Sequence, residues 1–222
     1  MGLVGSEMCI RDREVTMHIP TGRTTDHEVL EFHTAWSMAK EPQSAYDSHM
    51  WLYVPPLYSE YRYVLGTSGT NPLICIGINP STAAPDALDN TLKSVQRIAL
   101  ANGYDSFLMF NVYAQRATSP DDMEKDVNPK LHVQNMKAFA HMLTLSGSRA
   151  PSVWAAWGNL IEKRSYLTDC VRDMIAIGKD HHASWFTAGS RSKKGHPHHP
   201  LYLKADSQLD PFDVEAYIKN MA

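Results

Sequence analysis

The 222-residue chain has little of several things. It holds three cysteines, Cys9, Cys75 and Cys170, far short of a disulfide framework or a cysteine-based metal site. Cys75 falls in a predicted core strand and Cys170 in a predicted helix, so two buried thiols are expected rather than a disulfide or metal pair. Its apolar runs stay well below the ~20 residues that span a bilayer, so no membrane partner is expected. Nothing near Met1 joins a basic region to a long apolar one, as a secretory signal would, and a cytoplasmic protein is the expectation. The formal net charge of −3 argues against nonspecific coating of nucleic acid, although a local basic patch remains compatible with it. Internal repeats, low-complexity tracts and linkers are also missing.

What is present is the composition of a soluble globular protein, 43% hydrophobic and 20% charged, at a length suited to one domain with a filled core. The start of the chain is set aside. "GSEMCIRDR", residues 5–13, resembles the translated end of a transposon adapter used in sequencing libraries, so residues 1–13 are read as non-native. Arg11 and Arg13 there balance Glu7 and Asp12, so the net charge is unaffected. Residues 14–60 read as an N-terminal helix and an aromatic-rich lead-in, and 61–222 as a single domain.

A capping box, Thr25-x-x-Glu28, predicts a helix running to about Lys40. "YRYVL" predicts a strand, and "GTSGTN" a turn returning the chain into Pro72–Asn79, which would place an antiparallel edge strand beside the first core strand. Core strands are predicted at Leu73–Ile78, Ser106–Tyr113, Ser152–Trp157 and Ala183–Ala188. Helices with glycine stops at Gly103, Gly147 and Gly178 separate them, and a last helix is predicted over about Pro211–Met221. Alternating strands and helices with right-handed crossovers give an α/β fold: a three-layer α/β/α sandwich on a mainly parallel sheet of about four core strands plus an antiparallel edge strand. Ligands of such sheets bind off the carboxyl ends of the strands.

Those four ends are polar. The first strand runs out in Gly77-Ile78-Asn79-Pro80-Ser81-Thr82, and the second in "FNVYAQRAT", with Asn111, Tyr113, Gln115, Arg116 and Thr118. The third ends in Trp157-Gly158-Asn159, and past the fourth lies "GSRSKKGHPHHPLYL". Helix capping is the simpler account of Ser81 and Thr82. For Asn111 a satisfied buried amide is an equal alternative, and for Trp157 a packed aromatic before a turn. The fourth cluster puts Arg191, Lys193, Lys194 and Lys204 within fourteen residues that hold no acid, beside His196, His198 and His199. That loop suits phosphate or polynucleotide, although a solvated loop would account for Lys193 and Lys194. Metal binding by the histidines is not expected, because Pro197 and Pro200 hold the rings apart and no Cys or Glu nearby completes a tetrahedral set.

From Tyr61 to Leu203 the ordered motifs "YRYVL", "NPSTA", "LDNT", "FNVYAQRATSP", "VWAAWG" and "KGHPHHPLYL" resemble a bacterial family, the domain of unknown function 1643. That family has no established activity. The succession of GINP, an Asn ending the second strand, "WGN" and a His-Pro loop is more distantly similar to the uracil-DNA glycosylase superfamily. The second resemblance implies recognition of a nucleobase, nucleotide or DNA and hydrolysis of an N-glycosidic bond. Asn79 would position water, Asn111 would read the base through its amide, and His199-Pro200 would supply the His-Pro loop. Asp89 of "LDNT" would be an alternative general base or only a helix cap. Substrate contacts would come from Gly77, Pro80, Ser81, Asn111, Tyr113, Arg116, Trp157, Gly158, Lys193 and Lys194. Asn79 is neutral where a carboxylate would be the better base, and "HPLYL" lacks the serine of the His-Pro-Ser-Pro pattern. The cysteine set that some superfamily members use for an iron–sulfur cluster is missing too, so no cofactor is implied. A non-catalytic nucleotide or nucleic-acid binder is the alternative.

Overall fold

A computed structural model describes residue 24 and residues 28–221. Cys9, the adapter-like segment and Thr25 of the expected capping box lie outside the described residues.

The four apolar runs form strands where they were expected. These are β3 (Pro72–Gly77), β4 (Ser106–Asn111), β5 (Ser152–Ala155) and β6 (Ser184–Ala188), in the spatial order β4-β3-β5-β6 with every pairing parallel. β3 and β4 are buried at every residue, as strands covered on both faces must be. The sheet is wider than expected and mixed. β1 (Trp51–Val54) and β2 (Val64–Thr67) extend it beyond β4, and β7 (Leu209–Pro211) extends it beyond β6, all antiparallel. Three of the six pairings are therefore antiparallel, not one edge strand. "YRYVL" contributes only its last residues to β2, and β2 sits beside β4 instead of the first core strand.

Five helices are described: α1 (Phe32–Lys40), α2 (Asn90–Ala101), α3 (Pro129–Thr144), α4 (Tyr166–Asp180) and α5 (Val214–Lys219). Successive strand residues point to opposite sides, and two apolar clusters follow that alternation. Leu73, Cys75, Phe107, Met109 and Trp154 pack with Leu92, Val95, Ile98 and Ala99 of α2. Ile74, Ile76, Leu108, Phe110, Val153 and Ala155 pack with α1, α3, α4 and α5. Cys75 and Cys170 are free, buried thiols, as expected, and burial pushes both thiol pKa values up.

The first helix starts at Phe32, later than the capping box implied. Gly103 and Gly147 lie just past α2 and α3 at φ of 83° and 62°, a region glycine enters without strain. Gly178 is not a stop. It is buried inside α4, where an added Cβ would stand 3.1 Å from the Trp185 ring, and α4 ends instead at Asp180, with His181 as its C-cap and His182 following at φ 55°. No helix among the described residues is long and apolar enough to cross a membrane.

The topology selects one edge of the sheet. β3 leads into α2 on one face while its neighbour β4 leads into α3 on the other. Loops that diverge from adjacent parallel strands leave a crevice at their carboxyl ends, and the polar loops lie there.

Candidate functional site

A pocket of about 160 Å³ occupies that crevice, lined by Gly77 at the end of β3 and Asn79 and Ser81 just past it, by Met109 and Asn111 in the last half of β4, and by Asp89 and Leu92 at the start of α2. Arg62 and His199 are also part of its wall. An engineered apolar cavity of about 150 Å³ holds one benzene ring, so this pocket is sized for a single heterocycle. Gly77 is closely approached by side chains of β4: an added Cβ would lie 2.6 Å from Met109 Cε, which would have to swing aside, and 3.2 Å from the Asn111 amide.

The two asparagines are held from behind. Asn79 Nδ2 donates to the carbonyl oxygens of Pro80 (3.0 Å) and Ala117 (2.8 Å), tying the β3 loop to the β4 loop. Its Oδ1 is left to accept. Asn111, only 1% exposed, satisfies both amide hydrogens when its nitrogen donates to Phe110 O and Asn79 O, each at 3.3 Å. In that orientation it offers an oxygen to the pocket, and two-point reading of a base edge would require releasing one of these bonds. Asn135 of α3 donates to the Asn111 and Val112 carbonyls at 3.0 and 3.3 Å and fixes the backbone there.

Asp89 caps α2, its Oδ1 accepting from Leu92 N at 2.8 Å. His199 is half-buried, and Leu201 N donates to its Nδ1 at 3.3 Å. An Nδ1 that accepts places the proton of the neutral ring on Nε2, where the ring donates outward. Burial pushes the His199 pKa below the ordinary histidine value, neighbouring His198 adds to this, and the Asp89 carboxylate opposes it. The loop is anchored to α2 by Ser94 Oγ, which donates to Pro200 O at 2.8 Å. Two more open grooves, of about 350 and 270 Å³, adjoin the pocket at His199, and Tyr202 stands beside them 78% exposed.

Other expected residues lie elsewhere. Tyr113 is fully buried, donating to Glu124 Oε2 at 2.5 Å and accepting from Asn128 N at 2.8 Å, and lines none of these cavities. Pro80 is buried, with its carbonyl spent on Asn79 and Ala117 N. Arg116 is buried behind the pocket, donating to Ser81 O and to Tyr53 OH (2.9 Å), with its guanidinium 4.9 Å from the Tyr58 ring centre. Trp157 and Gly158 line the 270 Å³ groove, not the ring-sized pocket. The Trp157 ring is buried and donates to Tyr217 OH at 3.0 Å, the packed-aromatic alternative.

The basic loop is partly neutralised in space. Glu162, from the 3-10 turn Gly158–Glu162, takes Lys194 Nζ at 2.9 Å on both oxygens and meets His196 Nε2 at 3.3 Å. Lys193 remains exposed. The histidines diverge: His196 Nδ1 contacts Tyr217 OH, His198 Nδ1 contacts His199 O, and His199 accepts from Leu201. Among the described residues no group of three or more His, Cys, Asp or Glu is arranged to hold a metal.

Arg62 is the site residue that the sequence reading overlooked. Its signal was an arginine inside the apolar "YRYVL". It is 1% exposed, and its Nη1 donates to Ala83 O at 2.9 Å. Burial and the neighbouring Arg116 bring its pKa down from 12.5 to about 9, while Tyr53 and Asp89 oppose the shift.

The chain is an α/β protein, and its crevice lies at the carboxyl ends of parallel strands, where open sheets of this class generally bind their ligands. The family described as "Protein of unknown function (DUF1643)" matches residues 62–201, and the chain belongs to it. No curated protein and no solved structure matches the chain.

Proposed function

We propose that this protein recognises a nucleobase, carried by a nucleotide or by DNA, and hydrolyses its N-glycosidic bond in the manner of uracil-DNA glycosylases. The observation that carries the reading is the presence of Asn79, Asn111 and His199 together in the lining of a ring-sized pocket. The finer architectural likeness, a three-layer sandwich of that superfamily's kind, is part of the same proposal. Apolar clusters on both faces of the sheet support it.

N-glycosidic cleavage passes through an oxocarbenium-like sugar while negative charge develops on the departing base. The base would enter the pocket, as enzymes acting on bases require, with the Asn111 oxygen accepting a ring N–H. The Asn79 oxygen would hold a water at the anomeric carbon. As that carbon–nitrogen bond breaks, the electron pair leaves on the base, where His199 Nε2–H stabilises it, and the water oxygen bonds to the sugar. The water's proton passes to the Asp89 oxygen not used in capping, or to solvent.

A second reading, a binder without turnover, is favoured by one specific fact. Asn79 is neutral, and Asp89, the one carboxylate lining the pocket among the described residues, is already engaged in capping α2.

Oligonucleotides carrying uracil, hypoxanthine, alkylated or bulky modified bases, scored for abasic sites, test the proposal. Base release lost in both Asn79→Ala and His199→Ala is the expected result. Binding without product from any of these substrates would replace hydrolysis by recognition.

A further inference from the structure

Arg62 and Arg116 are each 1% exposed, and no ion pair reaches either among the described residues. A buried cation without a hydrogen-bonded counter-charge is costly. Asp89, which lines the same pocket, favours the charged form of Arg62 without forming an ion pair with it. A structural account falls short. Holding Ala83 O uses only Nη1, which a neutral amide could replace, while the buried Nε of Arg62 has no acceptor at all. Arg116 supplies a second guanidinium behind it, and its Nε is also without an acceptor. With Arg116 counted, two buried guanidiniums stand against the one carboxylate of the lining, Asp89, which forms no ion pair with either, so positive charge at this end of the pocket is not fully offset.

We propose that Arg62 makes this pocket a seat for a ring-sized anion: the heterocycle it holds is one that is ionised, or becomes so when it departs from its sugar. This rests on the nucleobase reading for the ring, and on Arg62 alone for the charge. A guanidinium offers donors and no acceptor, so it favours ring oxygens carrying negative charge and disfavours cationic alkylated rings. Arg62 lines the ring-sized pocket, whereas Lys193 is exposed and lines none of the three cavities.

Calorimetric titration of the whole chain compares uracil, neutral at pH 7, with 5-nitrouracil, ionised at that pH, and with inorganic phosphate. The ionised ring should bind at least tenfold more tightly than the neutral one. Arg62→Gln should abolish that preference and Arg62→Lys should retain part of it. The wild-type comparison needs no variant, so a poorly folding Arg62→Gln leaves the proposal exposed to test. Equal affinity for the two rings, or a preference that survives in a folded Arg62→Gln, would overturn it. Binding of phosphate but not of either ring would also overturn it and assign a phosphate seat. The two readings separate cleanly: a preference for the ionised ring without base release from oligonucleotides upholds the anion seat and removes hydrolysis, while release without that preference does the reverse.

Discussion

Asn79 reaches across the crevice to the carbonyl oxygen of Ala117 at 2.8 Å, so the loop after β3 and the loop after β4 are joined by a side chain that also lines the pocket. One residue therefore ties the two loops together and lines the pocket between them. Asn79→Ala removes two hydrogen bonds, each worth about 1 kcal/mol. For a chain of this length the sum lowers Tm by about 4–8 °C. Asn79→Asp should fall further, since its carboxylate would meet the Pro80 and Ala117 carbonyls with no proton to donate. Thermal melts of the two variants decide this, and an aspartate variant as stable as wild type would contradict the assigned bonding.

Tyr217 ties α5 to the loop that carries His199. Its hydroxyl accepts from the buried Trp157 Nε1 at 3.0 Å and contacts His196 Nδ1 at 2.9 Å. Tyr217→Phe leaves a buried indole N–H unsatisfied at a cost of about 1–3 kcal/mol. Urea titration should show a lower midpoint with an unchanged slope, because the same surface is still exposed on unfolding. A midpoint within error of wild type would mean that another group accepts from Trp157.

The four central strands were legible because an apolar run buried on both faces needs no partner to be recognised. β1 and β7 were not. Trp51–Val54 is lost among prolines and aromatics, and Leu209–Pro211 is an edge of three residues, two of them exposed, without alternation to read. Gly178 was misread because a stop glycine and a packing glycine look alike, and the difference lies in contact with Trp185 on the next strand. Asn79, Asn111, Asp89 and His199 were legible as strand-end and loop residues, and the crevice brings them together. Tyr113, only two residues past Asn111, turns to Glu124, a long-range partner that no local pattern announces. Arg62 was hidden for the opposite reason: a charged residue inside an apolar segment was absorbed into a predicted strand.

Acid should weaken the fold before any carboxylate is protonated. Burial holds the pKa values of His141 and His199 below the ordinary histidine value, which is about 6.5. The unfolded chain then takes up protons first as pH falls, so their contribution is full above about 6.5 and is lost as pH drops toward the folded values. Protonating Nδ1 of His199 also sets two donors, Nδ1–H and Leu201 N–H, against each other. Melting temperature should be flat from pH 8 to 7 and decline between 6.5 and 5, with a shallower decline in His141→Gln. A rise in stability over that interval would refute the assignment.

Adjacent lysines should behave differently toward nucleic acid. Lys194 is held by both oxygens of Glu162 at 2.9 Å, whereas Lys193 is exposed with no ion pair among the described residues. If phosphate is gripped by this loop, Lys193→Ala should weaken DNA binding regardless of sequence and reduce the salt slope by about 1. Lys194→Ala should change the slope less, because its charge is already compensated. Glu162→Gln, which frees Lys194, should raise affinity at low salt. Fluorescence anisotropy between 50 and 200 mM salt measures all three variants. Equal losses from both lysines would mean that the Glu162 pair opens on binding; no loss from either would remove this loop from the nucleic-acid interface.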